Sequence, residues 1–416
     1  MENPRRIHWA WVILATGFLD LFINYSVRLG YGVVLPEMIK ALSLSRTAGG
    51  SVFNAYLFSY IVLTPLTGYL TDRLGARKVI STCALVLGAG VLLMGTVHTL
   101  WTACVFYAIA GLGATGMWTP VITVVQRWFA PDRRGLALGI LSTGYGLGFA
   151  TMGVVFPWIV AHLNWRYAWY FLGLAAFIMA AVNAVFLRKD PGSEGLLPWG
   201  SNREPGALPL TPKSKRPLEQ VRPPSHVLRQ GSFWLIGFSY FSIAFSLYGI
   251  TTFMVDYAES QLGLPIARAG LLATIHGLFQ VVGVLTILPL SDRWGRKPTI
   301  LMSNAAIAAC LIGILFIQDS WIMLFFLVGW LAVFYGATFP IYGACAGDYF
   351  PKEVMGTVIG AWTPFYGSGA ILVHWISGAL RDASGSYNAP FVINACMAVV
   401  GLLLMAWVRE APRNSA

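Results

Sequence analysis

The sequence predicts an all-α membrane protein: twelve transmembrane helices in two six-helix pseudo-symmetric bundles. Three observations predict it. The 416 residues are 57% hydrophobic and only 11% charged, too apolar and too long for one soluble domain. Hydropathy divides the chain into about twelve apolar stretches, each able to cross roughly 30 Å of hydrocarbon. The second half also repeats short motifs of the first, in the same order and at nearly one spacing.

The spans run approximately over 9–35, 48–70, 79–97, 100–127, 136–161, 167–187, 232–257, 268–290, 298–317, 320–346, 355–380 and 387–408. The first is long and leads straight into the bundle, so it reads as a span and not as a cleavable signal peptide. A formal net charge of +11 invites a nucleic-acid partner, but its distribution argues against one. With the N-terminus inside, only Lys40, Arg46, Arg166, Arg268 and Arg381 of the 28 Lys and Arg fall outside, and Arg28 lies within a span. All the others share the inner side, among them Arg5, Arg6, Lys352, Arg409, Arg413 and the clusters at 73–78, 127–134 and 293–297. This is the positive-inside pattern; it predicts an inner-membrane protein with both termini cytoplasmic. The five cysteines lie inside spans without metal-ligand spacing and read as small packing residues.

The repeat sets the domain organisation. GYLTDRLGARK at 68–78 is answered by LPLSDRWGRK at 288–297, with Asp72 and Asp292 220 residues apart. RWFAPDRRGLALG at 127–139 is answered by DYFPKEVMGTVIG at 348–360, and Gly146 and Gly148 by Gly367 and Gly369. Two six-span units follow, 1–187 and 230–416, related by an axis along the membrane normal. The stretch 188–229 is rich in Pro, Ser, Lys and Arg without an apolar run, and reads as a poorly ordered cytoplasmic linker.

The first span carries the functional signal. Arg28 lies in its second half, with Asn24 and Tyr25 one turn before and Tyr31 one turn after. A charge inside an apolar span is costly and marks a substrate path when it faces the bundle interior. The alternatives for Arg28 are snorkelling to the headgroups or pairing with Asp20. Cavity candidates at helical spacing are Trp118 and Thr119 in the fourth span, Tyr145 in the fifth and Tyr248 in the seventh. His276 and Gln280 follow in the eighth, Tyr335 in the tenth, and Trp362 and Tyr366 in the eleventh. A coupling proton needs a group that titrates near neutrality. Asp20, His276 and Asp256 are the candidates, with His374 a further one; the local alternative for Asp20 is a hydrogen bond to Asn24, one turn away.

Asp-Arg-x-Gly-x-Arg-Lys at 72–78, with its copy at 292–297, resembles the loop motif of the major facilitator superfamily. The resemblance, with the repeat, covers nearly the whole chain and implies alternating access around a midplane site. It also implies that Asp72, Arg73, Arg127, Arg133, Arg134, Asp292, Arg293 and Asp348 form a latch at the inner rim, an acid beside a helix N-terminus being favourable. Within the superfamily, the Trp9-Ala10-Trp11 opening, residues 127–148 and residues 188–200 resemble the monocarboxylate transporter branch and its oxalate–formate exchanger relatives. That branch often carries an Asp and an Arg in the eighth span; here His276 and Gln280 stand there, which throws weight on Arg28. Asn24-Tyr25-Ser26-Val27-Arg28 is similar instead to the first span of the anion–cation symporter branch, where the arginine binds a sugar acid or other organic anion; Val27 replaces that branch's usual acid.

The resemblance implies a secondary transporter of a small carboxylate, first a proton-coupled monocarboxylate such as lactate or pyruvate, working as a monomer in the bilayer. The alternatives are a sugar-acid, aromatic-acid or dicarboxylate symporter or exchanger, or a sensor that kept the fold. One buried cation favours a monoanion, since a dianion leaves a charge poorly compensated. No cofactor beyond a coupling proton, no metal and no enzyme activity are expected: the sequence shows no nucleophile–base pair, metal spacing or phosphate-binding glycine loop.

Overall fold

The computed structural model describes residues 8–201, 227–317, 320–350 and 354–409. Arg5, Arg6, Lys352, Arg413 and the central linker, 202–226, lie outside the described residues. The first half contains α1 (Trp9–Leu42), α2 (Arg46–Leu74), α3 (Ala76–Met94), α4 (Leu100–Ala114), α5 (Thr119–Trp128), α6 (Arg134–His162) and α7 (Trp165–Phe186). The second contains α8 (Gly231–Ser260), α9 (Ile266–Trp294), α10 (Arg296–Ile314), α11 (Trp321–Tyr349), α12 (Met355–Ser384) and α13 (Asn388–Trp407).

The α4 and α5 helices are two pieces of one crossing, broken by a 3₁₀ turn at Thr115–Met117 ahead of Pro120. A proline supplies no N–H to the preceding turn, so the ladder is interrupted there. Counting that pair once gives the twelve expected crossings. Ten of them are long and apolar enough to span a bilayer by length and composition. The remaining two, α2 and α12, pack against each other between the halves, where polar residues are tolerated. On α7 the stripe Tyr167, Phe171, Leu174, Ile178 and Val185 is exposed, a face suited to lipid.

The repeat is visible atom by atom. Gly75 and Gly295 both adopt positive φ, 88° and 92°, where a side chain would be strained, and close α2 and α9 through Thr71 and Ser291 carbonyls. Two residues on, Arg77 donates to the Ala184 carbonyl near the end of α7. Its counterpart Lys297 donates to Val408 at the end of α13, at 2.6 Å. Cations at helix C-termini are favourable, so the basic residues of this motif fasten each loop to the last helix of its own half.

The halves meet along two symmetric seams, α2 with α12 and α6 with α9. Near the α1–α2 loop the seams are closed: a Cβ on Gly153 would lie 2.5 Å from the Gly270 carbonyl oxygen, and one on Gly277 2.3 Å from that of Gly146. Towards the end carrying the basic loops they part. Gly139, two turns beyond Gly146, and Gly68 and Gly360 on the other seam would each meet nothing within 4 Å. The bundle is therefore a wedge, shut at the α1–α2 loop end and open at the basic end. Gly277→Leu overpacks the α6–α9 seam, costing about 1–3 kcal/mol. It is expected to lower the melting temperature in detergent, whereas Gly68→Leu leaves it near wild type.

The start of the linker departs from expectation. Residues 188–201 are ordered: the Trp199 N–H donates to the Trp128 carbonyl at 2.9 Å, and the Ala130 N–H returns to Trp199 at 3.0 Å. The Trp199 ring packs 5.0 Å from Trp11 and 5.7 Å from Phe129. The composition that suggested disorder conceals one aromatic anchor, Trp199, which meets Trp11 and Phe129 only after folding.

Candidate functional site

Arg28 sits midway along α1, on the face turned to the second half, and is 7% exposed. Its Nη2 donates to the Tyr248 hydroxyl of α8 at 2.5 Å. The guanidinium carbon stands 5.1 Å from the Tyr60 ring centroid and 5.8 Å from those of Tyr25 and Tyr248. Aromatic faces attract a cation, more so when it is desolvated. Among the described residues no carboxylate pairs with Arg28, and its Nε has no hydrogen-bond partner. A buried cation lacking a counter-charge is costly, and an anion that enters completes it.

A second ring of aromatics extends the cage. Tyr25 packs 5.2 Å from Tyr145 and 6.0 Å from Trp118. Trp118 reaches Phe339 on α11 at 5.8 Å, and the Tyr145 hydroxyl donates to the Gly336 carbonyl at 2.7 Å. Tyr366 lies 5.8 Å from Tyr248 and 4.7 Å from Tyr240. The His276 ring lies 4.9 Å from Tyr335, and Gln280 is one turn further on α9. The structure thus brings together Arg28, Tyr25, Trp118, Tyr145, Tyr248, Tyr335, Tyr366, His276 and Gln280.

Other candidates fall elsewhere. Tyr31 stacks on Phe53 and Tyr107 and donates to the Gly49 carbonyl, inside the first half. Asn24 accepts from Tyr56 on α2 at 3.4 Å. Thr119 is exposed, and Trp362 donates to the Phe233 carbonyl at 3.0 Å, pinning α12 to α8. Asp20 takes its hydrogen bond from Asn183 on α7 at 2.7 Å, not from Asn24, because the α1 face carrying Asp20 is turned to α7; its Oδ2 has no partner. Tyr60 was missed because the second span was left out of the cavity; the Tyr56–Tyr60 pair at i, i+4 was the available signal.

Asp256 is held by donors from both halves. It accepts from Arg46 Nε at 3.2 Å and Nη2 at 3.4 Å, and from the Tyr387 hydroxyl. Asp382 accepts from the Arg46 and Thr47 N–H groups, both at 2.9 Å, and Lys40 pairs with Glu259. One turn deeper, His374 joins Asn54 of α2 at 2.7 Å to Thr252 of α8 at 2.9 Å. These contacts tie the halves at the closed end.

The expected latch at the basic end is not assembled. Among the described residues Asp72 has no ion-pair partner; Arg133 pairs with Asp132, and Arg134 donates to the Gln126 carbonyl at 3.0 Å. Arg73 lies over Tyr69, Arg127 and Arg293 are exposed, Asp292 pairs with Arg296, and Asp348 lies within electrostatic reach of that arginine. The open end of the wedge keeps groups on opposite halves apart, and within the first half Arg133 and Arg134 are engaged by Asp132 and the Gln126 carbonyl.

The sequence model of the Major Facilitator Superfamily matches residues 17–270 and 236–416. The chain belongs to that superfamily. Among curated superfamily relatives, a probable sulfoacetate transporter of Cupriavidus necator is 25% identical, covering 97% of this chain and 95% of its own. The hexuronate transporter of Bacillus subtilis is 23% identical over 94% and 93%. A membrane sensor protein of Escherichia coli is 24% identical over 99% and 95%. Among solved structures, a nucleoside transporter aligns with a TM-score of 0.76 at 12% identity, covering 97% of this chain and all of that one. That likeness is one of fold.

Proposed function

We propose that the protein is a secondary transporter of a small organic anion, taken up by alternating access with the acid group held at Arg28. The observation that carries this reading is the guanidinium buried between the halves, ringed by tyrosines and without a carboxylate partner. The sulfoacetate and hexuronate carriers among the relatives support an anionic cargo. The monocarboxylate resemblance narrows it to lactate or pyruvate, and the symporter resemblance to a sugar acid.

In this reading the basic loops and both termini are cytoplasmic in an inner membrane, and the wedge is the inward-open state. The coupling ion is a proton. Asp20, a buried carboxylate with one unpartnered oxygen, is its first carrier and His276 the second. Charge neutralisation at Arg28 and proton uptake together permit the loaded form to rock.

Uptake of labelled lactate and glucuronate into proteoliposomes, with and without an inward proton gradient, tests the proposal. Saturable uptake of either acid, raised by the gradient and suppressed by the other acid in excess, is the expected result. Binding without flux would favour the sensor reading that the Escherichia coli relative raises.

A further inference from the structure

His276 and Gln280 are both fully buried, one turn apart on α9. Neither ring nitrogen of His276 and neither amide atom of Gln280 has a hydrogen-bond partner. Buried polar side-chain atoms are nearly always bonded, so four unpartnered atoms on one helix face call for a ligand group or ordered water.

Their place adjoins the cage. The His276 ring stands between Phe149 of α6, at 5.5 Å, and Tyr335 of α11, at 4.9 Å. Tyr335 is in turn within electrostatic reach of Arg28, Tyr25, Tyr145 and Tyr248. Gln280 presents its Cβ to Gly146, next in sequence to Tyr145, and its carbonyl to Gly336, whose own oxygen takes the Tyr145 hydroxyl. Tyr335, touching His276 and within electrostatic reach of Arg28, therefore links this pair to the cage.

The pair supplies both donors and acceptors: an amide NH₂ and oxygen, and one N–H and one bare nitrogen of a neutral imidazole. Among the described residues no ion pair includes His276. A second acid group would find no counter-charge here, and an alkyl chain would leave all four atoms unpaired. Hydroxyls, which donate and accept, match the set.

We infer that His276 and Gln280 form a second subsite, which holds the hydroxyl groups of a hydroxylated monocarboxylate whose acid group is bound at Arg28. This rests on the anion reading of Arg28 and adds the class of anion.

Gluconate and hexanoate share a six-carbon chain and one carboxylate and differ in hydroxyls. Calorimetry on the purified full-length protein in detergent should show gluconate bound about 10-fold or more tightly than hexanoate, as expected where a site's polar groups go unpaired with the wrong ligand. Gln280→Leu should weaken gluconate and hold or tighten hexanoate, closing the gap between them; retained hexanoate binding shows that the variant folds. A wild type that binds both alike or neither overturns the subsite, as does a variant that loses both acids together or neither. Arg28→Gln separates the two ideas: if it spares both acids while Gln280→Leu still removes discrimination, the anion reading fails and the subsite stands.

Discussion

Replacing Arg28 with Gln should reduce kcat/KM for anion uptake by about 30-fold or more, because truncating one partner of a buried charge pair costs about 2–5 kcal/mol. The fold should tolerate the change. Arg28 is buried without a carboxylate partner, so its removal strands no opposite charge, and the melting temperature should hold or rise as an uncompensated desolvation cost disappears. Arg28→Lys should recover only part of the activity, since an ammonium is a point charge and lacks the planar fork that grips a carboxylate with two bonds. Near-normal uptake by the Gln variant would remove the cage from the transport path.

Asp256→Asn should loosen the closed end. The exchange keeps shape but deprives Arg46 of its counter-charge and the Tyr387 hydroxyl of an ionised acceptor. A buried pair broken on one side costs about 3–5 kcal/mol; with the Arg46 side chain a quarter exposed, about 1–3 kcal/mol is expected. That free energy is lost only in the state where the pair is made, so the balance should shift about tenfold towards the alternate state. Spin labels at Ala41→Cys and Ala383→Cys, both exposed on opposite halves, report it in a background without the five native cysteines. A longer distance should gain population in the variant; an unchanged distribution would show that this pair does not hold the end shut.

The sequence carried the fold well because both signals are local and periodic: apolar runs of membrane length and short motifs recurring at a fixed spacing. Arg28 was legible for the same reason, being one charge in an apolar run with polar neighbours a turn away. Its partners were legible only as a class. Tyr248 and Tyr25 were among the aromatics named, but Tyr31 and Trp362, equally plausible by type, turned out to pack within single halves. Asp20 shows the limit sharply: the nearest residue in sequence was Asn24, and the partner is Asn183, 163 residues away. The closed end was also hidden. Arg46, Asp382 and Tyr387 are scattered surface-type residues until folding brings them to Asp256 and the start of α2.

The bond from Arg28 to Tyr248 joins residues 220 apart, the same interval that separates the repeated loop motifs. By that spacing the two fall at corresponding places in the two copies, and the bond sets them face to face between the halves. In a symmetric pair of identical six-helix chains, each residue on the twofold axis would confront its own twin. An arginine there would meet an arginine, two like charges in a medium of low dielectric, and the pair would repel. A lone cation on the axis is therefore available only to a fused chain whose halves have diverged. Fusion did more than join two bundles: it released the centre of the molecule from the requirement to be its own mirror, and a single charged guest could be seated there.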